Sequence, residues 1–261
     1  MILKIKDVLR RLPIYPLLRS VRNAGFSRST AQADAKRREF YSQFIRPGDL
    51  VFDVGANMGN RTRVFLDLGA KVVAFEPQKS CADFLQGAFH RNPDFRLVRK
   101  ALGSTEGFGE MWISNSHPLS SLSTEWIDAT RRSGRFANYS WDRKQPVALT
   151  TLDQSIREFG RPSFVKIDVE GYEYEVLAGL SEPLDSLSIE FTPEYRALAF
   201  RCIERIEETF LKPLFQLSLG ESMNFFFPEW VTARILRDSL CTFENPVFGD
   251  IYIRRDHYES G

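Results

Sequence analysis

The 261-residue sequence predicts an α/β fold: a doubly wound, mostly parallel sheet that ends in an antiparallel pair of strands at its C-terminal edge. Three observations predict it. From Asp49 onward, short β-branched runs alternate with apolar stripes at helical spacing; a glycine-rich turn follows the first run; and two strand-like runs, 215–219 and 250–255, close the last hundred residues.

LVFDVG (50–55) reads as a buried strand, and Val64, Phe65 and Leu68 give the next helix its stripe before Gly69 ends it. KVVAFE (71–76) is a strand stopped by Pro77, and Cys81, Phe84, Leu85 and Ala88 mark a helix that Asn92-Pro93 breaks. FRLVRKAL (95–102) is the third strand. Thr151 or Asp153 then opens a helix over 153–159, which Gly160 and Pro162 end. A strand follows at 163–169, a helix at 172–180, a strand at 187–191 and a helix carrying Ile203, Ile206 and Phe210. Crossovers of this kind within one sheet are right-handed.

Residues 103–149 fit neither pattern well and read as an insertion or lid, with strands at 109–114 and 146–150 flanking a Ser-, Arg- and aromatic-rich stretch. Trp126, Phe136, Tyr139 and Trp141 stand there among Arg131, Arg132, Arg135, Arg143 and Lys144, which suits either sugar rings and acidic glycans or a lid packed on its own domain. The expected organisation is a basic N-terminal arm over 1–45 and one functional domain over 46–261.

Composition narrows the function classes. The chain is 43% hydrophobic and 26% charged, with 35 basic against 34 acidic residues and a net charge of +1, ordinary for a soluble globular protein. That balance hides a division. Residues 1–50 hold eleven Lys and Arg against four acids, a balance of +7, so the other 211 residues carry −6. An acidic body argues against a nucleic-acid partner. Cys81, Cys202 and Cys241 are widely spaced and form no C-x-x-C pair, which points to a reducing compartment rather than a disulfide framework or zinc knuckle. No long apolar run predicts a membrane span, and Lys4, Lys6 and Asp7 interrupt any secretory signal. Ile5, Val8, Leu9 and Leu12 form one stripe of a short basic helix stopped by Pro13. It suits packing on its own domain or a sister subunit in a homodimer, or peripheral contact of residues 1–12 with the inner face of a membrane. The expected location is cytoplasmic.

The turn after the first strand reads Asp53-Val54-Gly55-Ala56-Asn57-Met58-Gly59. A dinucleotide site would need G-x-G-x-x-G, and this chain has G-x-x-x-G with an acid two residues before the first glycine. A carboxylate at the strand tip repels a pyrophosphate and attracts a ligand carrying an ammonium and a sulfonium, a description that S-adenosylmethionine fits. Glu76, at the tip of the second strand, is placed to accept both ribose hydroxyls. The expected cofactor contacts are therefore Asp53, Gly55, Ala56, Asn57, Gly59 and Glu76. The bland alternative is a glycine turn that only permits tight helix–strand packing.

At these residues the chain resembles the Rossmann-like class I S-adenosylmethionine-dependent methyltransferases. VFDVGANMGNRT, VVAFEP, ALGSTEG, the SSL at 120–122, VALTTLD, VKIDVEGYEYEVLAGL and SIEF stand in the order and spacing of the FkbM-type family. The resemblance spans roughly residues 46–195. It implies methyl transfer, most often to a hydroxyl oxygen of a sugar, glycan or related small molecule. A nucleotide-cofactor oxidoreductase on the same fold, or a cofactor-binding scaffold without chemistry, are the alternatives.

Within VKIDVEG, strand alternation places Lys166, Asp168 and Glu170 on one side and Val165, Ile167 and Val169 on the other. Glu190, on the next strand, is expected at the same sheet edge, where open α/β sheets bind ligands. A positioned carboxylate or imidazole can take the proton of a methylated alcohol. Asp168 is the first candidate, Glu170 and Glu190 follow, and His117 stands outside the cluster. Two of the carboxylates could instead hold a divalent cation, although no metal ligand is assigned, and Lys166 could simply neutralise Asp168 in an ion pair.

Overall fold

The computed structural model describes residues 32–134, 137–244 and 247–256. The short basic helix expected over residues 5–12 lies outside them, as do Arg135 and Phe136. The first described helix, α1, covers residues 32–41. Strand β1 (Leu50–Val54) then leads through the glycine turn into α2 (Asn60–Asp67), followed by β2 (Lys71–Phe75), α3 (Lys79–Phe89) and β3 (Phe95–Val98). After the insertion the chain runs through α5 (Leu152–Phe159), β7 (Phe164–Ile167), α6 (Glu173–Ala178), β8 (Ser186–Phe191), α7 (Arg196–Thr209), β9 (Pro213–Leu219), α8 (Ala233–Leu240) and β10 (Gly249–Arg255).

These strands form a seven-stranded sheet in the order β3-β2-β1-β7-β8-β10-β9. The first five run parallel, and β10 pairs antiparallel with both β8 and β9, as the two C-terminal runs predicted. Strand order reverses between β1 and β7, so the crevice where such sheets bind ligands opens above the tips of those two strands. Alternation divides the core. Phe52, Val54, Val165, Ile167 and Ile189 face one layer with Ile203 and Leu236, while Val51, Phe164 and Tyr252 face the other with Tyr41 and Phe65. No described helix is long and apolar enough to cross a membrane.

The run 95–102 is two strands rather than one. Val98 ends pairing with β2, and β4 (Ala101–Leu102) joins a second sheet, order β4-β6-β5, with β5 (Gly107–Ser114) and β6 (Trp141–Thr150). Helix α4 (Thr124–Ser133) connects β5 to β6, its N-terminus capped by the Ser123 hydroxyl, which accepts from the Trp126 amide. Trp126 and Trp141 meet edge to face at 6.3 Å and are buried, so these two aromatics are core rather than sugar platforms. In α3 the packed stripe is Cys81, Ala82 and Leu85, and Phe84 points outward with 47% of its surface exposed. Helix α8 has no counterpart in the sequence reading.

Candidate active site

Asp53 lies near the tip of β1, buried, with its Oδ2 accepting the Thr62 hydroxyl at 2.5 Å. Burial raises its pKa, and the Thr62 hydrogen bond works in the opposite direction. At Gly55 the backbone turns with φ +80°, and a Cβ there would stand 1.8 Å from the Asp168 carbonyl oxygen, so only glycine lets the two strand ends approach. The Gly55 and Ala56 amides both donate to the Phe75 carbonyl, which removes them as ligand donors. Gly59 makes room for Leu85 and Phe89 and serves helix packing.

Glu76, at the tip of β2, accepts the Asn57 amide on Oε2 and the Gln78 amide on Oε1, each at 2.7 Å. A carboxylate oxygen has two lone pairs, so each oxygen keeps one for a further donor. Burial pushes this carboxyl up to about 7 against the opposing pull of those two amides.

The tip of β7 carries the second set. Lys166 Nζ lies 2.7 Å from Asp168 Oδ2 and 3.5 Å from Asp250 Oδ1, so the ion pair is made, with Asp250 of β10 as a second acid. Burial alone would lower the Lys166 pKa; the two carboxylates outweigh it and keep the ammonium charged. The strand stops at Ile167, so Glu170 sits beyond the pleat in a left-handed turn with φ +53°. Three contacts hold that turn. Glu173 Oε1 accepts the Val169 and Gly171 amides, the Ser121 hydroxyl donates to the Glu170 carbonyl at 2.6 Å, and Trp126 lies so close that a Cβ on Gly171 would meet it at 2.2 Å.

Asp168, Glu170 and Glu190 each offer a carboxylate oxygen, and these oxygens all lie within 4.8 Å of one another. Burial, followed by the charges of Glu170 and Asp168, raises the Glu190 pKa well above the usual range. This oxygen-only cluster has the donor chemistry of a Mg²⁺ or Mn²⁺ site. His117 opens a short 3₁₀ turn beside Pro118, and its side chain lies outside what is described.

Two cavities meet here. The first is lined by Glu76 and by Phe75, Leu102, Met111 and Leu122, and the second by Asp53, Asn57, Asn60, Arg61, Lys166 and Glu221. Both are bounded by Gly55, Asn57, Pro118, Asp168 and Glu170. The model of the methyltransferase FkbM domain matches residues 53–229, from the β1 acid to beyond β9. The chain belongs to the FkbM methyltransferase family.

Two curated methyltransferases resemble the chain. The hexuronic acid methyltransferase AglP of Haloferax volcanii is 30% identical over 140 residues, 54% of this chain and 53% of AglP. The 2-O-methyltransferase NoeI of Sinorhizobium fredii is 27% identical over 165 residues, 59% of this chain and 67% of NoeI. The match thus spans about half the length of AglP. Among solved structures, precorrin-6y C5,15-methyltransferase of Geobacter metallireducens superposes with a TM-score of 0.45 at 11% identity, covering 87% of this chain and 86% of that one.

Arg61, Glu221, Asp250 and Ser121 line or brace this candidate site without having been singled out as site residues from the sequence. Asp250 had a signal, an acid inside the otherwise apolar run DIYI; Arg61 had only its place two residues after Gly59.

Proposed function

We propose that the chain transfers a methyl group from S-adenosylmethionine to a hydroxyl oxygen of a sugar or glycan-like acceptor. The observation that carries this is the meeting of the two cavities at Asp168 and Glu170. The first cavity suits the cofactor: Glu76 keeps one lone pair per oxygen for the ribose hydroxyls, and the apolar wall of Phe75, Leu102, Met111 and Leu122 suits a purine. Bound there, the cofactor supplies an electrophilic methyl on a sulfonium. Asp168, which bounds both cavities, and Asp53, which lines the second, give their junction the charge a cation needs.

In this reading the acceptor occupies the second cavity, and Asp168 receives the hydroxyl proton as the oxygen is methylated. Lys166 fixes the Asp168 carboxylate, and Asp250 fixes Lys166 from below. The segment 103–149 acts as an insertion over the cofactor cavity, to which it contributes Met111, Ser120 and Leu122. A sugar acceptor is supported by the names of AglP and NoeI.

Calorimetry with S-adenosylhomocysteine tests the cofactor. The expected result is binding that weakens at least about tenfold in Asp53→Ala, the size of a lost charge-assisted contact. No binding at millimolar ligand, or undiminished binding in the variant, overturns it. Labelled methyl donor with a panel of sugars tests the acceptor, and label found only on nitrogen or carbon would refute O-methylation.

A further inference from the structure

The second cavity holds a buried guanidinium that the transfer reaction does not use. Arg61, at the start of α2, is 12% exposed, and its Nη2 alone grips both oxygens of Glu221 at 2.8 and 2.9 Å. Its Nε is buried and has no hydrogen-bond partner among the described residues. Arg37 of α1 reaches the same carboxylate at 3.0 Å, and its Nε is orphaned in the same way. A buried N–H without a partner is costly, and a guanidinium is built to take a carboxylate through two donors at once. Glu221 does not complete that geometry, and it is the exposed member of the set, with 54% of its side chain open to solvent.

Of the two cations lining the cavity, Lys166 is already paired with Asp168 and Asp250. Arg61 is therefore the cation whose counter-charge is an exposed side chain on a turn, a partner that holds weakly. The cavity, about 240 Å³, has the volume of about eight waters, the scale of one sugar ring and not of a macromolecule.

We propose that Arg61 is a carboxylate-binding residue for the acceptor, that Glu221 occupies this grip until the acceptor displaces it, and that the enzyme thereby selects acidic sugars over neutral ones. The proposal rests on the reading of the second cavity as the acceptor site. It gives the acceptor a direction: its acid group on Arg61, its reacting hydroxyl toward Asp168. The same carboxylate chemistry exists in the amino-acid end of the cofactor, and the experiment separates the two sources.

Binding of methyl glucuronide and of methyl glucoside is measured on the full chain, with and without S-adenosylhomocysteine. The expected result is glucuronide binding at least about tenfold tighter than glucoside, a preference abolished in Arg61→Gln. Glu221→Gln, at an exposed position, is expected to tighten glucuronide about two- to fivefold by removing the internal competitor. S-adenosylhomocysteine affinity stays unchanged in both variants. Equal binding of the two sugars, no binding of either, or a preference that survives in Arg61→Gln overturns the proposal. So does weaker S-adenosylhomocysteine binding in Arg61→Gln, which would put Arg61 on the cofactor. Should Arg61→Gln fail to fold, Glu221→Gln decides alone, since glucuronide affinity that does not rise refutes the displaced grip. Loss of S-adenosylhomocysteine binding in the unaltered chain would refute the cofactor reading while the sugar comparison, made without it, still stands.

Discussion

Glu76 is a carboxyl that burial leaves only partly ionised near neutral pH, and its proposed ligand needs it charged. Burial lifts it to about 7 from an ordinary 4.5, because the two amides it accepts do not repay the lost hydration. Ribose hydroxyls donating to the remaining lone pairs favour the carboxylate, so binding pulls the pKa down and expels a proton. Affinity for S-adenosylhomocysteine is therefore expected to rise with pH and level off above about 7. Calorimetry at pH 6 in buffers of different ionisation enthalpy should show proton release; Glu76→Gln should bind more weakly and release none, and equal release from both would disprove the assignment. Asp168, ion-paired with Lys166, carries a separate prediction. Replacing a proton acceptor while keeping its shape removes a contribution of about 10²–10⁴ in rate, so Asp168→Asn is expected to lose that much kcat at saturating cofactor. A kcat within threefold of the original would leave Asp168 with the ion-pair role alone.

The element that decides the site is the turn between β7 and α6, and it shows what a sequence conveys and what it does not. VKIDVEG announces an apolar run ending in acids, which suffices to place β7, Asp168 and the sheet edge. Strand alternation, carried one step too far, puts Glu170 on the Lys166 face. The chain instead leaves the pleat at Asp168 and enters positive φ at Glu170 and Gly171. What imposes this lies far away in sequence: the Ser121 hydroxyl on the Glu170 carbonyl and Trp126 over Gly171. The second sheet was legible in part: the runs 109–114 and 146–150 mark β5 and the end of β6, but β4 has only two residues and β6 begins in WDRKQ, whose exposed charges carry no strand signature. The parallel strands were legible because both faces are covered, so each reads as an apolar run with a glycine or proline stop. A prediction belongs to this turn. Gly171→Ala adds a Cβ 2.2 Å from Trp126 at φ +92°, combining overpacking with backbone strain. It should destabilise the protein by on the order of 2–4 kcal/mol. Urea unfolding reads the loss, and a midpoint unchanged from the parent would show that α4 moves aside freely.

Across the whole molecule, the crevice collects buried acids more densely than buried bases, and that sets how stability responds to pH. The buried Asp53, Glu76, Glu173 and Asp250 and the half-buried Glu190 all have raised pKa values, with loss of hydration the first cause in each. An acid whose pKa is higher folded than unfolded holds its proton better in the fold. Its stabilisation is complete below the unfolded value and disappears as pH rises through the folded one. For Glu76 and Glu173 that window runs from 4.5 to about 7. The two acids lowered by their partners, Asp83 and Glu221, act in the opposite direction, but both are more open to water and count for less. The net slope is negative. Between pH 5 and pH 8 the ligand-free protein is expected to lose on the order of 2–5 kcal/mol. For a domain of this size that corresponds to a fall in Tm of roughly 5–15 °C. S-adenosylhomocysteine should oppose the fall, because it binds the ionised Glu76 and a saturating ligand at a hundred times its Kd adds about 2.7 kcal/mol. Thermal melts across this range, with and without the ligand, test both statements: curves that converge at pH 5 and separate toward pH 8 support a crevice whose acids await a hydroxyl-bearing cation. A ligand-free Tm that climbs steadily to pH 8 would mean that these carboxyls are ionised in the fold, with their charge already compensated.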